Sequence, residues 1–157
     1  MRGRIFQACR KDTVDFTVAL PRDRLSEFYE AATSLGFTVP EPYLAGWIDQ
    51  VGGMPVVKIR RYIQSKSVDV DLFLAECQFQ QELMARRRST EIDGLMVSIV
   101  SPEDLVILKL IANRPRDVAD IGDVLFTQGQ LDTAYLRQWA ARFGMLNRLD
   151  KLLDEVA

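Results

Sequence analysis

A mixed α+β chain, strand-rich in its first half and helical in its second, is what the order of patterns along this sequence predicts. Three observations carry the prediction. β-Branched and aromatic residues gather in short runs at 14–20, 55–62 and 66–74, the last alternating in period two from Val68 to Leu72. From Leu105 onward the apolar residues recur at helical spacing instead. The two kinds of pattern are largely segregated along the chain, the mark of α+β organisation, and the strands are not each followed by a helix.

At 157 residues the chain is predicted to form one domain over residues 1–157, with a sheet part at 1–100 and a helical part at 101–157. An apolar fraction of 48% with 27% charged residues is globular usage and excludes a disordered or fibrous chain. Twenty basic against 22 acidic residues leave a net charge of −2, so no chain-wide attraction to nucleic acid or membrane is built in. The absence of histidine excludes Ser-His triads, histidine bases and most catalytic zinc sites. Cys9 and Cys77 form no metal or disulfide pattern and read as free thiols in a reducing compartment. The N-terminus has no apolar signal core, and the longest apolar-rich stretch, Leu105 to Ala112, is too short to span a bilayer. A cytoplasmic location without membrane contact is therefore expected.

The elements follow in order. Val14 to Leu20 reads as a strand with Val14, Phe16 and Val18 on one face and Asp15 and Thr17 on the other. Pro21 ends it and opens a helix from Arg22 to Leu35, terminated by Gly36. Gly46 to Gln50 is a short strand, Val51-Gly52-Gly53 a turn, and Pro55 to Tyr62 a longer strand. Lys66 to Leu74 places Val68, Val70, Leu72 and Leu74 on one face, with Asp69, Asp71 and Phe73 on the other. Phe79 to Arg88 reads as a helix and Leu95 to Val100 as a final strand. Ser101-Pro102-Glu103-Asp104 is a helix start: a serine cap, proline in the first turn and an acid three residues on. The helix it opens is apolar nearly all round and should be central and buried. Pro115 breaks it, and a helix over Arg116 to Phe126 follows. Asp132 caps a third, striped by Leu136, Trp139, Ala140 and Phe143. Leu146, Leu149, Leu153 and Val156 stripe the last. Trp47 and Tyr62 read as core or sheet-face aromatics, and not as base-stacking platforms.

Aspartates on the polar faces of neighbouring strands suit a divalent cation, because Mg²⁺ prefers hard carboxylate oxygens. Asp15 and Asp71 are the candidates, with Asp69 on the same face as Asp71. The plain alternative is a set of solvated carboxylates on an open sheet face.

The chain also resembles a known family. Arg10-Lys11-Asp12-Thr13-Val14-Asp15-Phe16-Thr17-Val18 looks like the Arg-x-Thr-x-Asp-x-Asp strand of the nucleotidyltransferase superfamily, most closely the minimal nucleotidyltransferases and AbiEii-type toxins. Val68-Asp69-Val70-Asp71-Leu72-Phe73 resembles the strand that gives their third metal carboxylate. The run from Val100 through Lys109 to Ile121 is similar to their Ser-Pro-Glu-Asp-Leu, helix lysine, Gly-Arg and Lys-Asp-x-x-Asp sequence, and Leu131 to Ala140 to their ending.

The resemblance implies a nucleotidyltransferase-like fold, a small mixed sheet backed by helices with a C-terminal helical part. It implies Mg²⁺-assisted transfer of a nucleotidyl group from a nucleoside triphosphate to an RNA, protein or small-molecule acceptor. By this likeness Asp71 is the activating carboxylate, Asp15 and Asp71 are metal ligands with Asp69 beside them, and Thr13 and Lys109 lie toward the nucleotide. Thr13 stands where the family has its first aspartate, so one negative charge is lost there; Asp12 alternates to the opposite strand face. The family's Gly-Ser or Gly-Gly phosphate loop has no counterpart before Arg10, which points to a degenerate or N-terminally truncated site. The competing expectation is thus a non-catalytic descendant kept as a binding or regulatory partner in a toxin–antitoxin or defence pair. Lys109 is equally readable as a lysine that snorkels or pairs with an aspartate, and Arg114, Arg116, Asp117 and Asp120 as a helix-junction network in which Arg116 and Asp120 have pairing spacing. Arg86-Arg87-Arg88 reads as a solvated helix end, with contact to RNA phosphates as the alternative.

Overall fold

The computed structural model describes residues 13–64 and 66–156, and among these the chain divides into two compact units, with the boundary at Glu76–Cys77. Arg10 to Asp12 and Cys9 lie outside the described residues, while Cys77 is a free thiol.

The first unit is a five-stranded mixed sheet backed by a helix. Strand β1 (Thr13–Val18) runs parallel to β5 (Lys66–Leu74), and β5 pairs antiparallel with the long central strand β4 (Met54–Ile63). The far side of β4 is shared by two short antiparallel strands. β2 (Phe37–Thr38) lies against its C-terminal half and β3 (Asp49–Val51) against its start. The turn between β3 and β4 needs two consecutive left-handed residues, and Gly52 and Gly53 supply them at φ 58° and 77°. Helix α1 (Leu25–Ser34) follows a single 3-10 turn at Arg22–Arg24, where a continuous helix from Arg22 is predicted; Gly36 closes it at φ 84°. The four-residue helix α2 (Glu41–Leu44) is a further element that the sequence pattern does not announce.

Period two decides which side of this sheet is buried. Val57 and Ile59 of β4 and Leu72 and Leu74 of β5 share one face and form a core with Tyr29 and Ala32 of α1 and Tyr43 of α2. The opposite face carries Thr13, Asp15, Asp69, Asp71, Lys58 and Arg60. Alternation thus sorts the charged residues onto one surface before any tertiary contact is considered.

The second unit holds α3 (Gln78–Arg86), a hairpin of β6 (Arg88–Ile92) and β7 (Leu95–Ile99), and four helices: α4 (Pro102–Ala112), α5 (Pro115–Thr127), α6 (Thr133–Arg142) and α7 (Leu146–Val156). Helix α3 ends at Arg86, two residues before its predicted end, and β6, which begins at Arg88, is a strand that the sequence reading does not announce. It turns into β7 through Asp93-Gly94, both in left-handed conformation as a tight hairpin requires. Helix α4 is central as predicted: Val106, Ile107 and Leu110 are fully buried, packed with Ile121, Leu136 and Leu149. Phe79, Trp139 and Phe143 add an aromatic cluster with ring centres 5.0–5.8 Å apart. No helix of the described residues is long and apolar enough to cross a membrane.

Candidate metal and nucleotide site

Parallel pairing of β1 with β5 sets Thr13 opposite Asp69 and Asp15 opposite Asp71. Partners in such a ladder project to the same side, so the two candidate ligands from opposite ends of the first unit meet on one face, with backbones about 4.8 Å apart. The next strand continues both rows. Lys58 is the partner of Asp71 and Arg60 the partner of Asp69.

The carboxylates differ in their engagement. Asp69 is clamped by the Arg60 guanidinium, which donates from Nε and Nη2 to its two oxygens; that hydrogen bonding holds its carboxyl below the usual carboxylate range. Asp71 accepts from Lys58 Nζ at 3.2 Å through Oδ2 alone. Its Oδ1 is buried without a hydrogen-bond partner, an arrangement that costs free energy unless a cation or donor arrives. Asp15 is exposed on the neighbouring strand.

Those donors fit a hard cation: two carboxylates on adjacent strands, one with an orphaned oxygen. The fit is to an ion that completes its octahedron with phosphate oxygens and water, since Mg²⁺ is commonly held by one or two carboxylates plus substrate phosphates. Among the described residues no three acidic, cysteine or histidine side chains gather closely enough to hold a metal by themselves. Thr13 completes the face without adding charge.

Lys58 and Arg60 share this face and pair with its aspartates, and sequence reasoning did not single them out. Their signal was present: on β4 the cations Lys58 and Arg60 alternate with Val57, Ile59 and Arg61, as the aspartates alternate on β5. A third neighbour is Asp49 of β3, on the same face as Val56 and hence Lys58. It accepts from Tyr43 Oη at 2.7 Å and from Trp47 Nε1 at 2.6 Å; these bonds, Tyr43's first, hold its carboxyl below the usual range, aided by nearby Lys58. Burial, and then the bond to Asp49, pushes the Tyr43 hydroxyl well up. Trp47 is 60% exposed and Tyr62 62% exposed, so neither is a core aromatic.

In the second unit the recurrent motif residues serve packing. Ser101 Oγ caps α4 by accepting from the Asp104 backbone N–H, and its hydroxyl donates to Asp104 Oδ2 at 2.6 Å. The fully buried Asp104 also accepts from Tyr135 Oη at 2.6 Å and Arg86 Nε at 3.3 Å, while Arg86 lies 3.9 Å over the Tyr135 ring. Glu103 pairs with Arg86 and accepts from the Asp132 backbone N–H. Arg86 is therefore part of this network and not a solvated helix end.

Lys109 projects from α4 toward α5, where its ammonium pairs with Asp120 and stands 3.8 Å from Asp117. Asp120 thus pairs with Lys109 and not, as the spacing suggested, with Arg116. Asp117 has no side-chain exposure and accepts from Arg114 at its backbone N–H, Nε and Nη2; the Arg114 guanidinium holds its carboxyl below the usual range.

Comparison with known proteins bears on this geometry. A search of curated proteins gave no match. One family model, described as a nucleotidyltransferase of unknown function (DUF6036), matches residues 48–151. The matched span includes Lys58, Asp69, Asp71 and Lys109 and begins after β1 with Thr13 and Asp15. It covers more than half of the chain, and the described residues have the mixed sheet and helical half of a nucleotidyltransferase-like α+β fold: this protein belongs to that family of nucleotidyltransferases of unknown function.

Proposed function

We propose that the open face of the first unit binds a nucleoside triphosphate with Mg²⁺ and transfers its nucleotidyl group to an RNA, protein or small-molecule hydroxyl. The observation that carries this reading is the ladder pairing of Asp15 with Asp71, in which one Asp71 oxygen is buried and unsatisfied. Asp15 and Asp71 would hold the ion, which when bound neutralises the charge of the phosphates. In the transfer, the acceptor oxygen bonds to the α-phosphorus, pyrophosphate leaves with the electrons of the broken bond, and the hydroxyl proton passes to the Asp71 carboxylate. Lys58, already beside Asp71, would be free to pair with a phosphate oxygen if Asp71 held an ion. Lys109, in the second unit, serves its helical core through Asp117 and Asp120.

A second reading is favoured by Thr13 and by the cations already paired with Asp71 and Asp69. A face neutralised by Lys58 and Arg60 has less need of a metal, which suits a non-catalytic member that binds a partner in a toxin–antitoxin pair.

Calorimetric titration with each nucleoside triphosphate, with and without Mg²⁺, separates the two when run beside a labelled-triphosphate assay on a mixed tRNA and protein pool. Metal-dependent binding and labelling that Asp71→Asn abolishes is expected from the transferase. A protein that binds no triphosphate and labels nothing would refute it and leave the partner-binding reading.

A further inference from the structure

The second exposed surface of this face is aromatic. Trp47 stands just before β3, whose register with β4 pairs Asp49 with Val56 and Gln50 with Pro55. Trp47 lies two residues before Asp49, and Asp49 pairs with Val56, two residues before Lys58 on the same face of β4. Lys58 pairs across to Asp71, and Asp71 to Asp15. One row therefore crosses the sheet on a single face, ammonium, carboxylate, carboxylate, and the Asp49 carboxylate that holds the indole borders it on the side of Lys58.

The indole is both exposed and fixed. Sixty per cent of Trp47 faces solvent, yet its N–H donates to Asp49 Oδ1 at 2.6 Å. The other Asp49 oxygen is held at 2.7 Å by the hydroxyl of Tyr43, whose ring is buried in the apolar core of the unit. An immobile, solvent-facing aromatic ring has little conformational entropy left to lose when a flat partner stacks on it. Exposed apolar surface beside charged groups is what a ligand with one apolar and one charged end would cover.

We infer that Trp47 is the stacking platform for the base of the triphosphate whose phosphates lie at Asp71 and Asp15, an assignment that rests on the function proposed above. Strands about 4.8 Å apart put Lys58 one strand from Asp71, on the side toward Asp49 and the indole that Asp49 holds. That is the order in which a nucleotide presents its parts: an aromatic base at one end, a sugar and then anionic phosphates toward the other. Stacking on one aromatic face tolerates every base, so the platform sets a preference for nucleotides over other polyphosphates and not for one base over another. Tyr62 is as exposed and shares the face, but it lies four residues farther along β4 than Lys58, past the Arg60–Asp69 clamp, and so outside the row.

The test compares two ligands, Mg–ATP and Mg–tripolyphosphate, on the full chain and on Trp47→Ala, Trp47→Phe and Tyr62→Ala. The expected result is a wild-type preference for ATP over tripolyphosphate of roughly 5- to 150-fold, the range that stacking one base supplies. Trp47→Ala should weaken ATP binding far more than tripolyphosphate binding and so collapse the preference, with Trp47→Phe retaining most of it and Tyr62→Ala all of it. Quenching of indole emission by ATP should vanish in Trp47→Phe. Equal losses for both ligands in Trp47→Ala would mean that the indole only braces Asp49, and would overturn the platform. A wild type that binds the two ligands equally, or a Trp47→Ala protein with an undiminished preference, would overturn it too while leaving the proposed function standing. A wild type that binds neither ligand would remove both.

Discussion

Replacing Asp104 with alanine is expected to be among the most damaging single changes in the second unit, although it is only one residue of a helix's first turn. Its carboxylate is fully buried and receives three donors: Tyr135 Oη, Ser101 Oγ and Arg86 Nε. A hydrogen bond to a charged group contributes about 1.5–3 kcal/mol, and a buried donor left unmatched costs about 1–3 kcal/mol. Arg86 is one-third exposed and finds water, so its loss counts for little. The tyrosine and serine bonds dominate, and Asp104→Ala should cost about 3–5 kcal/mol, a large part of the 5–15 kcal/mol typical of a domain. Tyr135→Phe removes one donor and should cost about 1–3 kcal/mol in the wild type but close to nothing beside Asp104→Ala. Urea melts followed by near-ultraviolet tryptophan dichroism in a Trp47→Phe background, where the buried Trp139 is the one tryptophan left, report on this unit. An Asp104→Ala cost below about 1 kcal/mol, or a Tyr135→Phe cost equal in both backgrounds, would show that the network is decoration on a core that does not depend on it.

Other expectations are simpler. Leu110→Ala should cost about 2–5 kcal/mol by cavity formation, whereas the half-buried Leu108 on the same helix should cost less on truncation; equivalence in a urea melt would misplace the core. Asp69 and Asp117 have folded-state pKa values below their unfolded ones, so the stability they confer is complete above the unfolded carboxylate range, roughly pH 4. It drains as pH falls through the folded values. Urea midpoints should thus drop on acidification below about pH 4, less steeply in Asp117→Asn, and a midpoint that rises there would contradict the assignment. Lys58→Ala should tighten binding of free Mg²⁺ severalfold by removing the cation that competes for Asp71, a gain set by the about 0.2–1 kcal/mol of a partly exposed pair; weaker Mg²⁺ binding by calorimetry would count against a metal at this carboxylate.

The sequence carried the frame of the molecule better than its detail. Strand β5 matches its predicted bounds because its alternation from Val68 to Leu72 is clear, and the caps at Ser101 and Asp132 form as local chemistry requires. Strand β6 was hidden because Arg-Ser-Thr-Glu is neither apolar nor evidently alternating; only the Asp93-Gly94 turn hinted that a partner preceded β7. The Asp104 network was out of reach for another reason. Two of its three donors, Arg86 and Tyr135, lie 18 and 31 residues away, and no short-range pattern records a contact between α3, α4 and α6. At the candidate site, residue identity was legible on β1 and β5, but the pairing of Lys58 and Arg60 with the aspartates depends on a register that only the folded sheet defines.

That register also orders events in time. Strands β4 and β5 meet through a short turn, with Ile63 opposite Lys66, so their ladder can form early from local contacts. Strand β1 joins the sheet only through β5, after the intervening helices and strands have been brought round. The pairing of Asp15 with Asp71 is therefore a late product of folding and an early casualty of local unfolding. A bound metal–nucleotide would grip both sides of this last-closed seam, so its protective effect on amide exchange should be felt most strongly along β1, which is held in the sheet by β5 alone.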